Sequence, residues 1–286
     1  MTDKTAPPLL VLGATSLIGR ALDRRESGPG WIRLSRSAPA QAGWLRADLG
    51  DEGLDRVLAA VGPFETALGL APIWTVAPAV PALARAGVRR LVAFSSTSRW
   101  TKQNSPVESE RAVARSLADA EQSLIAACQA HGIAWTILRP TLIYDEGHDG
   151  NVTRLAGLIR RFGFLPLSGG GAGLRQPVHA EDLGWAALAA LDAPASFNKA
   201  YDLPGGETLS YRQMAVRIFE ALGKKPLILD LPGFVWSLAF FLARPFLPGA
   251  TAAMGTRMSE DLAFDPEPAA RDFGWRPRDF RPRFVA

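Results

Sequence analysis

Residues 11–19, VLGATSLIG, have the make-up of a phosphate-binding turn. A short apolar run leads into Gly13, and a helix-forming pattern begins within the loop. A tight strand-to-helix turn needs a residue without a side chain at its first position. The free N–H groups of the helix start then face pyrophosphate. Gly13, Thr15, Ser16, Leu17, Ile18 and Gly19 are the residues expected to cradle it. Ser16 stands where a middle glycine is usual; it is small and brings a hydroxyl that can donate to phosphate. The bare alternative is a structural turn with no ligand. The end of the second strand selects the dinucleotide. A carboxylate there would hold a ribose diol, but this chain offers Ser35 and Arg36. A guanidinium suits a 2′-phosphate, so NADP is favoured over NAD, unless Arg36 is only a solvated charge.

These residues need a scaffold, and the hydropathy pattern supplies one. Short apolar runs at 9–12, 31–35, 66–70, 90–95 and 135–138 read as strands, with a shorter extended run ending near Asp48. Between them lie amphipathic helical stretches, the longest at 109–131. That alternation predicts an α/β fold, a Rossmann-like doubly wound parallel sheet with a smaller C-terminal substrate lobe. Residues 1–145 are expected to form the dinucleotide-binding domain, with 175–203 returning to it. Residues 146–174 and 204–286 are expected to form the mixed substrate or cap lobe. Residues 164–173 read as a proline- and glycine-rich loop.

Bulk properties narrow the partners. With 286 residues and 48% apolar content the chain can bury a full core. A net charge of +4, scattered and without finger-type cysteine spacing, argues against nucleic acid and suits an anionic small molecule. The single cysteine, Cys128, sits in a helical pattern and reads as a small buried hydrophobe. With three histidines and one cysteine, no metal cluster is expected. The N-terminal residues lack an apolar core with a cleavage site, so a cytoplasmic location is expected. The segment from Leu231 to Ala243 is strongly apolar but too short for a simple span. It reads as a buried helix, a homodimer or protein-partner contact, or a peripheral membrane contact.

Several motifs together carry a family resemblance: GATSLIG, ADL at 47–49, VAFSS at 92–96, WTILRPTLIY at 135–144, RQPVHAEDL at 175–183 and YDLPGGETLSY at 201–211. With them the chain resembles the NAD(P)-dependent epimerase/dehydratase family of extended and atypical short-chain dehydrogenase/reductases. The resemblance implies that Asp48 and Leu49 lie by the adenine and that Gly69, Leu70 and Ala71 line the ribose and phosphate side. It implies that Ser95 and Ser96 stand where the fifth strand meets the nicotinamide and that Pro140, Thr141 and Leu142 cover its other face. It places Asn151 and Arg175 at the diphosphate end of a nucleotide sugar or another phosphorylated metabolite; for Arg175 a surface ion pair is the plain alternative. His179 is expected to be a satisfied histidine under the cleft, and Asp182 a helix cap.

The proton-transfer pair implied by the resemblance is missing. Its tyrosine and lysine belong one turn apart on the long helix. The chain's tyrosines are Tyr144, Tyr201 and Tyr211, and none precedes a lysine by four residues. Aligning Glu121 with the glutamate that follows the lysine puts Leu117 at the lysine position and Val113 at the tyrosine position. Substitute acids are then sought among Ser95, Ser96, Thr97, Glu108, Glu110 and Tyr144. Three readings stay open: an enzyme with a substitute acid, a non-catalytic NAD(P)-binding sensor, regulator or assembly factor, and a fold that has lost its cofactor.

Overall fold

The computed structural model describes residues 8–25, 28, 30–232, 255 and 257–284. Its central element is a seven-stranded sheet in the order β3-β2-β1-β4-β5-β6-β11, with every neighbouring pair parallel. The strands are β1 (Leu9–Leu12), β2 (Trp31–Ser35), β3 (Trp44–Arg46), β4 (Thr66–Gly69), β5 (Arg90–Phe94), β6 (Ala134–Pro140) and β11 (Lys199–Leu203). Their runs of leucine, valine and alanine are buried on both faces, which a parallel sheet requires because its crossover helices cover both sides.

One face packs α2 (Leu54–Ala59), α3 (Ile73–Val76), α4 (Val80–Arg85) and α6 (Glu108–Ala130) around Leu12, Leu83, Leu91 and Ile137. The other face packs α1 (Leu17–Arg25) and α8 (Ala180–Asp192) around Val11, Leu68, Val92 and Leu138. Gly184 lets α8 approach α1, since a Cβ there would lie 3.0 Å from Leu22. Strands are added outward from β1 toward β3 on one side and from β4 toward β11 on the other, so the crevice beyond the carboxyl ends of β1 and β4 is a topological switch point.

The smaller lobe has its own core, with Val152, Ile159, Leu167, Met214, Phe219 and Phe280 among its buried residues. It contains α7 (Val152–Phe162) and α9 (Tyr211–Ala221). Two strands, β8 (Leu165–Ser168) and β13 (Ile228–Leu231), pair in parallel. The stretch at 164–173 is therefore not all loop: Leu165 and Leu167 point into the core, and the proline between them is tolerated in a two-stranded ribbon. Short pairs β7 (Ile143–Tyr144) with β10 (Val178–His179), and β9 (Leu174–Arg175) with β12 (Leu209–Ser210), stitch the lobe to the sheet's edge. A helix α10 (Glu267–Phe273) packs Ala269 and Phe273 under β11. Most of the apolar segment from Leu231 to Ala243 lies outside the described residues. Among the described residues, no helix is long and apolar enough to cross a membrane.

Cys128 lies wholly inside the first core, and burial pushes its thiol up to about 12. The folded protein is expected to leave it unmodified by a disulfide reagent at pH 8, with full reaction only in denaturant; rapid labelling of the native protein would contradict this packing.

Candidate functional site

The turn after β1 is shaped by two close approaches. Gly13 has φ +73°, and a Cβ on it would lie 2.5 Å from the Ala71 nitrogen. A Cβ on Gly19 would run into the Ala14 carbonyl, so this glycine lets α1 fold back on the loop. Gly13 N donates to Leu34 O at 2.9 Å and Leu70 N to Leu12 O at 2.8 Å, which fixes the crevice between β1, β2 and β4. Ser16 has a structural task as well: its hydroxyl oxygen accepts from Gly19 N at 3.1 Å, the geometry of a helix N-cap. Leu17 and Ile18 then present first-turn N–H groups that no helical carbonyl can reach.

At the end of β2 the structure gathers hydroxyls. Thr15 Oγ1 and Ser35 Oγ are 2.5 Å apart, and Ser37 Oγ is 3.3 Å from Thr15. Arg36 is 81% exposed with Asp48 as an ion-pair partner at 3.8 Å. Asp48 also accepts from Gly50 N, closing a turn. Leu49 is buried with the first core cluster, so only its backbone is at hand for an adenine. Gly69 is backed by Val76, Leu70 faces the second core, and Ala71 sits against Gly13.

The carboxyl ends of β5 and β6 meet next. Ser95 N donates to Leu138 O at 2.8 Å, and Thr97 N to Pro140 O at 3.1 Å. The Ser95 hydroxyl donates to Glu121 at 2.5 Å, and Ser96 Oγ accepts from Ser98 N. The Thr97 hydroxyl donates to Pro140 O. Thr141 donates to the Gln176 carbonyl, tying Pro140, Thr141 and Leu142 to the lobe. Glu121 is 1% exposed and holds Arg139 through two bonds of 2.9 and 2.7 Å and Arg99 through a third. Two guanidiniums and a serine hydroxyl thus satisfy a buried carboxylate. The sequence marks this node only indirectly, as a glutamate on an apolar helix stripe.

The remaining sequence candidates are dispersed. Glu108 is exposed and turned to Arg111 and Arg115, whose bonds hold its carboxyl below the usual range. It does not reach the β5 end. Glu110 is buried against Ser105 and Arg257. Tyr144 is fully buried in the lobe core, edge-on to His179 and Phe280, and burial pushes its phenol up. It is a packing residue rather than an acid at pH 7. Asn151 is exposed and donates to Ile143 O at 3.0 Å. Arg175 is 5% exposed and makes no ion pair among the described residues; its donors go to the carbonyls of Leu174, Glu260 and Arg257. An anion would have to displace those carbonyls.

Asp182 is not the helix cap. His179 caps α8, accepting from Glu181 N at 3.1 Å, while Asp182 pairs with Arg278. His179 Nε2 lies 3.2 Å from Glu146. Asp145, Glu146 and His179 bring ligand-type atoms within 4.8 Å of one another. Arg24 holds both Asp145 oxygens at 2.7 and 2.9 Å, so the cluster works as an ion-pair node.

The crevice therefore has the geometry of a dinucleotide site at a parallel sheet's switch point, closed on one side by a smaller lobe. Residues 75–203 match the NAD dependent epimerase/dehydratase family. The fold is shared along nearly the whole length with UDP-glucose 4-epimerase of Thermotoga maritima. That likeness has a TM-score of 0.69 at 18% identity and covers 95% of this chain and 94% of the other. An NAD(P)H azoreductase of Xenophilus azovorans is 28% identical over 236 residues, covering 76% of this chain and 74% of the relative. A mitochondrial NADH dehydrogenase [ubiquinone] 1 alpha subcomplex subunit 9 of Arabidopsis thaliana is 34% identical over 99 residues. That match takes in 34% of this chain and 24% of the subunit, so it spans about a quarter of that relative's length.

Proposed function

We propose that the protein binds a nicotinamide dinucleotide along the sheet's carboxyl edge, NADP(H) in preference to NAD(H). It presents the nicotinamide to a small molecule held under the C-terminal lobe. The observation that carries this reading is the cradle at Gly13 and Gly19, where any side chain would strike the loop or Ala71. Pyrophosphate would lie on the first-turn N–H groups of α1, and the nicotinamide between Ser95 and Pro140. When bound, the dinucleotide supplies hydride chemistry; the chain binds, orients and encloses it.

The preference for NADP(H) rests on the β2 end. No carboxylate terminates β2, while the hydroxyls of Thr15, Ser35 and Ser37 cluster beside the exposed Arg36. Arg36→Ala is expected to weaken NADPH binding by about 10- to 100-fold, the range of a lost charge-assisted contact, and leave NADH nearly unchanged. Parallel fluorescence titrations check this, and equal losses for both dinucleotides would refute the assignment.

The family match over residues 75–203 and the epimerase-like fold make a nucleotide sugar one substrate class for the lobe; Asn151 would stand at its diphosphate end, and Arg175 would join it only by giving up its bonds to the carbonyls of Leu174, Glu260 and Arg257. The absent tyrosine and lysine favour a second reading, a dinucleotide-binding sensor or assembly factor. Incubation with NADPH or NAD and UDP-glucose, followed by product analysis, separates them: interconversion supports the first, and binding without turnover of any acceptor supports the second. A cytoplasmic location, a homodimer and a membrane or protein contact through the segment from Leu231 to Ala243 belong with this proposal.

A further inference from the structure

The nicotinamide end differs from a sugar-interconverting site in a way that selects substrate chemistry. Helix α6 connects parallel strands β5 and β6, so it runs against them and starts at the carboxyl edge. Glu121 meets the Ser95 hydroxyl at the end of β5. At 1.5 Å per residue, Leu117 stands about 6 Å and Val113 about 12 Å further along the helix, Leu117 buried in the first core and Val113 exposed. These are aliphatic side chains at the positions where the family resemblance expects the lysine and the tyrosine. Residues 97–132 contain no tyrosine and only one lysine, Lys102. That lysine lies near Arg257 and Glu110, where burial lowers its affinity for a proton. The Ser95 and Thr97 hydroxyls are committed to Glu121 and Pro140 O.

Beside this end is a cavity of about 520 Å³, between the loop after α5 (Ser98–Thr101) and the segment 257–262. Trp100, Pro106 and Leu262 are its apolar lining, and Asn104, Arg257, Glu260 and Asp261 line it with polar and charged groups. Arg139, whose guanidinium lies 5.2 Å from the Trp100 ring, immediately precedes Pro140. Arg257 is ion-paired with Glu110, and its buried Nε–H has no partner among the described residues.

We propose that this cavity admits a planar conjugated electron acceptor of the quinone type, reduced by hydride from the bound dinucleotide. The inference rests on the NADP(H) reading above. Hydride delivery to an isolated carbonyl leaves a localised alkoxide, a strong base that needs an acid beside it in the transition state. Hydride from reduced nicotinamide to a quinone carries two electrons and one proton. It leaves oxidised nicotinamide and a hydroquinone monoanion whose charge is spread over the ring. That anion takes its second proton from water, so no tyrosine is required. Arg257, the cation that lines the cavity, would offset the developing charge.

The test uses the full chain, NADPH and 1,4-naphthoquinone under anaerobic conditions, with UDP-glucose and a simple aliphatic ketone as parallel acceptors. Expected is one NADPH consumed per hydroquinone formed, with no turnover of the other two. Asn104→Trp, a substitution at an exposed rim position, is expected to raise the naphthoquinone KM about tenfold while leaving the NADPH Kd and the melting temperature unchanged. Arg257→Gln is expected to lower kcat with the NADPH Kd preserved. NADPH binding without naphthoquinone reduction would overturn the inference and leave the cofactor reading intact. Turnover of UDP-glucose, or turnover indifferent to Asn104→Trp, would also overturn it, and failure to bind NADPH would remove both.

Discussion

Gly13→Asp is expected to abolish saturable dinucleotide binding, a loss of at least about 100-fold or roughly 2.7 kcal/mol. Gly13 combines φ +73° with a Cβ position 2.5 Å from the Ala71 nitrogen. An aspartate there must push the β1 turn away from β4 and set a negative charge against the pyrophosphate. Because that variant also strains the fold, Ser16→Asp isolates the electrostatic part. Ser16 already caps α1 by accepting from Gly19 N, and aspartate is as good a cap as serine. Its melting temperature is therefore expected to hold or rise, while NADPH affinity falls by about tenfold or more as carboxylate and phosphate compete for one helix terminus. Fluorescence titration and thermal melting on the same samples separate the two. An unchanged Kd in Ser16→Asp would mean that phosphate does not rest on this helix.

Glu121→Ala is expected to be the most destabilising single change in the sheet domain. The carboxylate is buried and satisfies Arg99, Arg139 and Ser95 together. Its removal leaves two guanidiniums in a low-dielectric site with no counter-charge, a cost of about 3–5 kcal/mol. For a domain of this size the melting temperature should fall by on the order of 10 °C. The Glu121→Gln variant keeps volume and one acceptor, so its loss should be smaller. A melting temperature within a degree of the parent for Glu121→Ala would show that the node is solvated. Such a variant should also loosen the end of β5, where the Ser95 hydroxyl donates a hydrogen bond to Glu121, and so weaken NADPH binding secondarily.

The features legible in the sequence were those set by local pattern. Apolar runs alternating with amphipathic helices predict the parallel sheet, because a strand buried on both faces must be apolar throughout. Gly13 and Gly19 are legible because turn chemistry is local. What depends on distant contacts was not. Asp182 has the type and position of a helix cap, yet Arg278, near the end of the chain, claims it and leaves capping to His179. Tyr144 looks available as a strand-end hydroxyl until Phe280, brought from the far end of the chain, buries it. Arg175 has the right neighbours in sequence for phosphate, but residues 257–260 occupy its donors with carbonyl oxygens. Residues 165–168 hide a strand because its partner, 228–231, lies about sixty residues away. The hydroxyl group of Thr15, Ser35 and Ser37 is assembled only by the pairing of β1 with β2, which no single stretch of sequence announces.

The central claim is that the crevice between β1, β2 and β4 holds a phosphorylated nicotinamide dinucleotide. The most direct measurement is a crystal structure of the protein grown with NADPH. The account predicts pyrophosphate against the N–H groups of Leu17 and Ile18, the 2′-phosphate beside Arg36 and Ser35, and the nicotinamide between Ser95 and Pro140. A crevice without dinucleotide at saturating NADPH, or a dinucleotide bound away from Gly13 and Gly19, would contradict it.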